Sequence, residues 1–265
     1  MNFYTISFDF LSSILIFAAK SIDEKVNLII EQGNTMLKIA VFEDGRITAV
    51  SLKAHQETSG IWEMFDQYQP EQGIMSSVTG RDESLIRALQ AKMPQFIWLD
   101  EKTPVPVRIE YETINTLGKD RIAAVAGASY LQPRRNCLVI DAGTAITYEL
   151  LTAEGIYKGG NISPGMTTPF LALNHFTGQL PLVKRQEEVP FIGTSTESAI
   201  LAGVVNGIVY EMDGYIEAMK SKFEDIFVFL TGGHANYFEK RLKNHIFAEP
   251  NLLLIGLNRI LEYNA

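Results

Sequence analysis

A chain of 265 residues, 46% hydrophobic and 20% charged, has the size and composition of a soluble globular protein, one large domain or two ordinary ones. Its formal net charge of −8 argues against a general nucleic-acid partner, which needs a basic face, but not against a small anionic ligand held by local donors. The lone Cys137 has no internal disulfide partner and sits in an apolar run, so it reads as core; nothing suggests an oxidising compartment, and a cytoplasmic location is expected.

Residues 1–25 do not match the rest of the chain. Their apolar run, Phe10 to Ala19, has no positive charge before it, because Lys20 comes after, and it is too short for a membrane span. The expectation is an upstream extension with the true start at Val26 and no membrane partner. From Val26 to about Leu52 the pattern is strand, turn, strand. Residues 59–69 have helical spacing with Ser59 as candidate N-cap; Gly73 to Val78 reads as a strand, Asp82 to Met93 as a helix, and Phe96 to Leu99 as a short strand. Thr103-Pro104-Val105-Pro106-Val107 is extended, because each proline disfavours the helical region for the residue before it.

Residues 111–132, YETINTLGKDRIAAVAGASYLQ, place Gly118-Lys119-Asp120-Arg121 ahead of an alanine-rich helical run. Two readings of Asp120 are open. It is a favoured N-cap type where a cap belongs, or it is a carboxylate that takes a hydroxyl proton while Arg121 or the helix end holds an anion. The second half opens with an apolar strand, Cys137 to Ile140, ending on Asp141; a small-residue turn and a second strand, Ile146 to Leu151, come next. A carboxylate at a strand end beside a turn without bulky side chains suits a phosphate and metal site, and equally suits an ordinary hairpin. A second copy decides between them. At a constant offset of 110, Glu31 falls on Asp141, Gly33 on Gly143, Asn34 on Thr144 and Gly45 on Gly155. Two copies imply two similar halves with a ligand cleft between them, and strands alternating with helices make each half α/β.

Farther on, Thr167 to Phe176 is helical. Residues 195–222 form the longest helical pattern; Thr194 and Glu197 have capping-box spacing, and Ile200, Val204, Ile208, Met212 and Ile216 mark its buried face. A strand from Ile226 to Leu230 runs into Thr231-Gly232-Gly233-His234, where the glycines can admit a base or ribose or form a tight turn. Residues 251–263 read as a closing helix able to pack on either half. His55, His175, His234 and His245 lack metal-ligand spacing and read as structural or surface residues.

From about Val26 to its end the chain resembles type III pantothenate kinases, members of the actin-like ATPase/sugar-kinase superfamily. The resemblance runs through EQGNTMLK, YETINTLGKDR, DAGTAITYEL, GGNISPGM with FTGQLP, GTSTESAI and FLTGGH, in that order. It implies two actin-like ATPase (ribonuclease H-like) domains, 26–135 and 136–265, and transfer of the γ-phosphoryl of ATP to the primary hydroxyl of pantothenate, the first step of coenzyme A synthesis. It implies Asp120 as the base, and Tyr111, Gly118, Lys119, Arg121 and Thr196 as further pantothenate contacts. It implies a nucleotide hairpin of Glu31, Gln32, Gly33, Asn34, Thr35, Met36, Leu37 and Lys38, with Thr144 on the second hairpin. Asp141 would help bind a monovalent cation, K+ or NH4+, needed besides Mg2+, and the enzyme would be a homodimer whose partner subunit closes the pocket. One position departs from the family: Glu31, followed by Gln32, stands where Asp and a small apolar residue are usual. The extra methylene adds about 1.5 Å, and misplacement on that scale costs on the order of 100-fold in rate. Two other functions stay open, a superfamily kinase for another small hydroxylated substrate and a catalytically weak nucleotide-binding accessory protein.

Overall fold

The computed structural model describes residues 25–223 and 225–265. The expectation of an upstream extension therefore falls, apart from Lys25, outside the described residues.

The first half opens with β1 (Val26–Gln32), β2 (Met36–Glu43) and β3 (Arg46–Ala54), continues through α1 (Ser59–Tyr68), β4 (Gln72–Ser77) and α2 (Glu83–Lys92), and closes with β5 (Gln95–Trp98). A two-residue strand β6 (Arg108–Ile109) and one 3-10 turn lead into α3 (Lys119–Leu131). The second half runs β7 (Cys137–Ala142), β8 (Ala145–Leu151), β9 (Ile156–Pro164), α4 (Thr167–Phe176), α5 (Thr196–Lys220), β10 (Phe227–Thr231), α6 (Ala235–Glu239), β11 (Phe247–Ala248) and α7 (Leu252–Tyr263).

The two sheets share one topology. The first has strand order β3-β2-β1-β4-β5, and the second contains β9-β8-β7-β10-β11 with β6 added beside β9. In each, the first three strands are an antiparallel meander and the last two join it in parallel. The repeat at offset 110 is thus a repeat of architecture. Gly45 and Gly155 occupy equivalent turns with φ of 72° and 74°, a left-handed conformation that glycine adopts without strain.

Helices form three layers around these sheets. Helices α1 and α2 cover the outer face of the first sheet with Ile61, Met64, Phe65, Leu85 and Leu89. Helix α5 covers the outer face of the second, and all five residues expected on its buried face are buried. Between the sheets lie α3 and α7, whose apolar residues share one core with Ile29 and Ile74 from the first sheet and Val139 and Phe229 from the second. Helix α7 is also tied to β1 by a bond from Asn27 Nδ2 to Asn258 Oδ1, 2.7 Å.

Two helix starts differ from expectation, and a third decides a reading that the sequence leaves open. Thr58, not Ser59, is the N-cap of α1. Helix α5 is capped by Ser195 in a reciprocal box with Ser198, not by Thr194 with Glu197. The shorter hydroxyls close that box directly, and Ser198 Oγ also accepts from the Thr194 N–H. The N-cap of α3 is Gly118, so Asp120 lies inside the first turn, where its Oδ1 accepts from the Arg121 N–H.

Candidate functional site

The two hairpin turns face each other across a cleft of about 310 Å3 between the sheets. It opens at the carboxyl ends of β1, β7 and β10, where α/β sheets place their ligands. From the first hairpin, Glu31, Gly33, Asn34, Thr35, Met36 and Lys38 line it; from the second, Asp141, Gly143, Thr144, Ala145 and Thr147. Asp120 at the start of α3, Gly232-Gly233-His234 after β10, Val78 after β4 and Leu253 of α7 complete the wall. Gly232 is required there, since a Cβ would meet Asp141 Oδ1 at 2.3 Å and φ is 93°.

The other hairpin residues turn elsewhere. Leu37 is fully buried in the outer core. Gln32 donates to the His55 carbonyl at 3.0 Å and accepts from Ser77 Oγ at 3.0 Å. The hairpins differ in one respect that the offset conceals: Gly33 to Met36 separate the paired Gln32 and Leu37, whereas only Gly143 to Ala145 separate Ala142 and Ile146. The longer first turn places Lys38 opposite Glu31, while Thr147 stands opposite Asp141. One hairpin therefore brings an ammonium and the other a hydroxyl.

Three carboxylates and this one ammonium set the electrostatics. Lys38 Nζ lies 3.5 Å from Glu31 Oε2. Burial raises the pKa of Glu31, with Lys38 opposing. Burial likewise raises Asp120, opposed by the Arg121 N–H. Asp141 is pushed up to about 7, first by burial and then by Asp120, Glu31 and Glu149, with Lys38 opposing. A cleft with this surplus of hard oxygen donors suits Mg2+ or an alkali cation. Among the described residues no group of three His, Cys, Asp or Glu could hold a metal alone, so a cation here needs phosphate oxygens or water to complete its shell.

The Asp141 shift has a measurable consequence. The native carboxyl keeps its proton above the pH at which the unfolded one, near 3.8, releases it. Stability from this group is therefore present below about pH 4 and lost as pH rises toward 7, at up to about 1.4 kcal/mol per pH unit. Ligand-free Asp141→Asn is expected to lose that slope and to melt higher than wild type at pH 7, read by thermal melts between pH 5 and 8.

His234, expected to be structural or superficial, lines the cleft instead. Its Nδ1 is buried with no partner among the described residues, and burial and Arg185 lower its pKa, so the ring is a neutral donor or acceptor.

Beside Asp120, a second set of residues converges. Arg121, only 6% exposed, is bonded twice by fully buried Glu149: Nε to Oε1 at 2.7 Å and Nη2 to Oε2 at 2.8 Å. The Tyr157 hydroxyl also donates to Glu149. Tyr111 stacks on Tyr157 with ring centroids 6.3 Å apart and lies under the Arg121 guanidinium. Lys119 Nζ reaches the Leu117 carbonyl at 3.3 Å. Gly118 leaves room for Asp120, because a Cβ would come within 2.3 Å of Oδ1. Thr196 is exposed in the first turn of α5 and does not line the cleft. Sequence reasoning missed Glu149 and Tyr157; the available signal for Glu149 was an acid in the middle of a largely apolar strand.

Among the described residues no helix is long and apolar enough to cross a membrane. A family model described as type III pantothenate kinase matches residues 27–218. A type III pantothenate kinase of Phocaeicola vulgatus is 44% identical over 239 residues, covering 90% of this chain and 99% of that protein. One from Bacteroides fragilis is 45% identical over 239 residues, with 90% and 98% covered. Among solved structures, a Baf family protein from Campylobacter jejuni aligns with a TM-score of 0.57 at 21% identity, over 89% of this chain and 98% of that one. A candidate N-acetylmannosamine kinase from Listeria monocytogenes aligns with a TM-score of 0.53 at 12% identity, over 91% and 100%. At these identities the two structures show the fold alone, the actin-like ATPase/sugar-kinase architecture.

Proposed function

The chain belongs to the type III pantothenate kinase family, and on that premise we propose which of its residues phosphorylate pantothenate with ATP in coenzyme A biosynthesis. The observation that carries the assignment is the presence of Asp120 in the wall of the cleft that both hairpins line.

Phosphoryl transfer needs in-line positioning and neutralisation of charge more than covalent help. In our reading Asn34 and Thr35 offer backbone N–H groups to the phosphates, Thr144 approaches from the facing hairpin, and Lys38 adds its ammonium. Gly33, whose own N–H closes the turn on the Met36 carbonyl at 2.9 Å, keeps the approach free of a side chain. Gln32, Met36 and Leu37 contribute mainly the frame of that hairpin. Asp120 accepts the proton of the pantothenate hydroxyl as its oxygen attacks the γ-phosphorus and ADP leaves. Tyr111, Gly118, Lys119 and Arg121 form the acceptor side. Glu31, through water, would hold Mg2+, and Asp141 would help hold K+ or NH4+; these ions supply charge neutralisation on the transferring group. The halves 26–135 and 136–265 act as two domains around the cleft, with α7 crossing back between the sheets.

A homodimer is part of the same proposal. Ile162, Leu171, Phe176, Leu182, Phe191 and Ile192 are half or more exposed around α4 and the segment leading to α5. A second copy on that face would cover them and bring Thr196 toward a pocket it does not line in its own chain. Sedimentation at the mass of one chain under assay conditions would remove this part.

The test is ADP release with ATP, Mg2+ and pantothenate, with and without K+ or NH4+. Turnover that requires pantothenate and rises at least tenfold with the monovalent cation is the expected result. ATP binding without pantothenate-dependent turnover, unchanged when Glu31→Asp restores the shorter acid, would overturn it. In the kinase reading Glu31→Asp changes kcat by up to about 100-fold while the ATP site is kept.

A further inference from the structure

The mechanism leaves the buried acid Glu149 unused. Glu149 sits mid-strand in β8, opposite Val139 on one side and Gly160 on the other. Gly160 makes room for it: a Cβ there would come within 2.6 Å of Glu149 Oε2 and 1.8 Å of the Tyr148 carbonyl oxygen. The carboxylate is fully buried, and every bond it makes points to the acceptor side of the site: two to Arg121 and one from Tyr157, whose ring stacks on Tyr111. A buried ion pair of this kind adds little net stability, since desolvation offsets the attraction and an apolar replacement is often as stable. Fold stability therefore does not account for its position. Its geometry does. The paired bonds fix the guanidinium plane and occupy Nε and Nη2, leaving Nη1 directed toward the Tyr111 hydroxyl at 3.4 Å. Arg121 follows Asp120 directly, and its backbone N–H donates to Asp120 Oδ1 at 2.9 Å.

We propose that Glu149 is a positioning residue for the phosphoryl acceptor, holding Arg121 by two edges so that only its Nη1 faces the substrate and so that the turn carrying Asp120 is fixed. Because Glu149 balances the charge of Arg121, the pair offers the acceptor a directional N–H more than a free cation. The group it reads is then a neutral oxygen of the acceptor, a hydroxyl or amide carbonyl. This inference rests on the kinase reading above.

The experiment compares Glu149→Gln and Tyr157→Phe with wild type in pantothenate kcat/KM and in ATP dissociation constant, the latter also reporting the fold. Glu149→Gln is expected to lower pantothenate kcat/KM about 30-fold, between loss of one charge-assisted bond and full misplacement of a reacting group. Tyr157→Phe, which keeps the ion pair, is expected to lower it about fivefold. In both, ATP affinity stays within about twofold of wild type. Equal losses of ATP affinity and pantothenate kcat/KM would mean a merely structural role, and unchanged kinetics in a variant that binds ATP would overturn the proposal. Should Glu149→Gln fail to fold, Tyr157→Phe decides by the same criteria. A wild type without pantothenate-dependent turnover removes the kinase reading itself; an active wild type matched by both variants removes only the role of Glu149.

Discussion

Asp120→Asn lowers pantothenate-dependent kcat by about 1000-fold, the middle of the range for removing a general base. The substitution is nearly isosteric, and the Asn oxygen can still accept from the Arg121 N–H that now bonds Asp120 at 2.9 Å. Helix α3 should therefore keep its first turn. ATP affinity should hold or rise slightly, because one negative charge leaves a cleft that also contains Glu31 and Asp141. The pH profile provides a second readout. Burial raises the pKa of Asp120, so wild-type kcat/KM should fall as pH drops through that raised value, and this limb should vanish in the variant. Steady-state kinetics with calorimetric ATP binding check both; a variant within tenfold of wild type would show that Asp120 is not the base.

Gly256→Ala destabilises the protein by about 3 kcal/mol, the upper part of the overpacking range. Helices α3 and α7 touch backbone to backbone. A Cβ at Gly256 would lie 1.8 Å from the Ala123 carbonyl oxygen, and one at Gly127 would lie 2.3 Å from that of Leu252. Backbone cannot swing aside as a flexible side chain can, so the helices must separate and open the core between the sheets. The sign of the effect is informative, because Gly→Ala in an unobstructed helix stabilises by up to about 1 kcal/mol. Gly214 in α5, where an added Cβ meets nothing within 4 Å, is the matched control. Thermal denaturation should lower the midpoint of Gly256→Ala by roughly 6–12 °C and leave that of Gly214→Ala unchanged or higher. Because α3 carries Asp120, the Gly256 variant should also lose activity below its melting range. A Gly256→Ala protein as stable as wild type would show that the helices pack less closely than described.

Much of this was legible in the sequence. Apolar periodicity placed the strands and helices with a buried face to within a few residues, since such burial is a local property of the chain. It read β2 and β3 as one strand and gave no element for β9, α6 or β11, because β3 and β9 bury little and the other two are short. The offset of 110 announced two equivalent halves, and the shared strand order bears that out. The motif order of the two hairpins and of Tyr111 with Gly118 to Arg121 pointed to the family that the comparisons show.

Other features depended on contacts between distant segments. Nothing local to residues 251–263 says that this helix lies between the sheets; the unfilled space between them does. The offset hides the extra residue in the first turn that puts Lys38 across from Glu31, because only strand pairing shows which residues face each other. Arg121 and Glu149 lie 28 positions apart, and the sequence shows two charges without showing that they cancel in the interior. Type and order of the elements with a buried face follow from each segment's own apolar pattern, and so belonged to the sequence; the largely exposed third strand of each meander did not. Which charges meet, and which helices touch, follow from how those segments bury one another, and that only the tertiary structure decided.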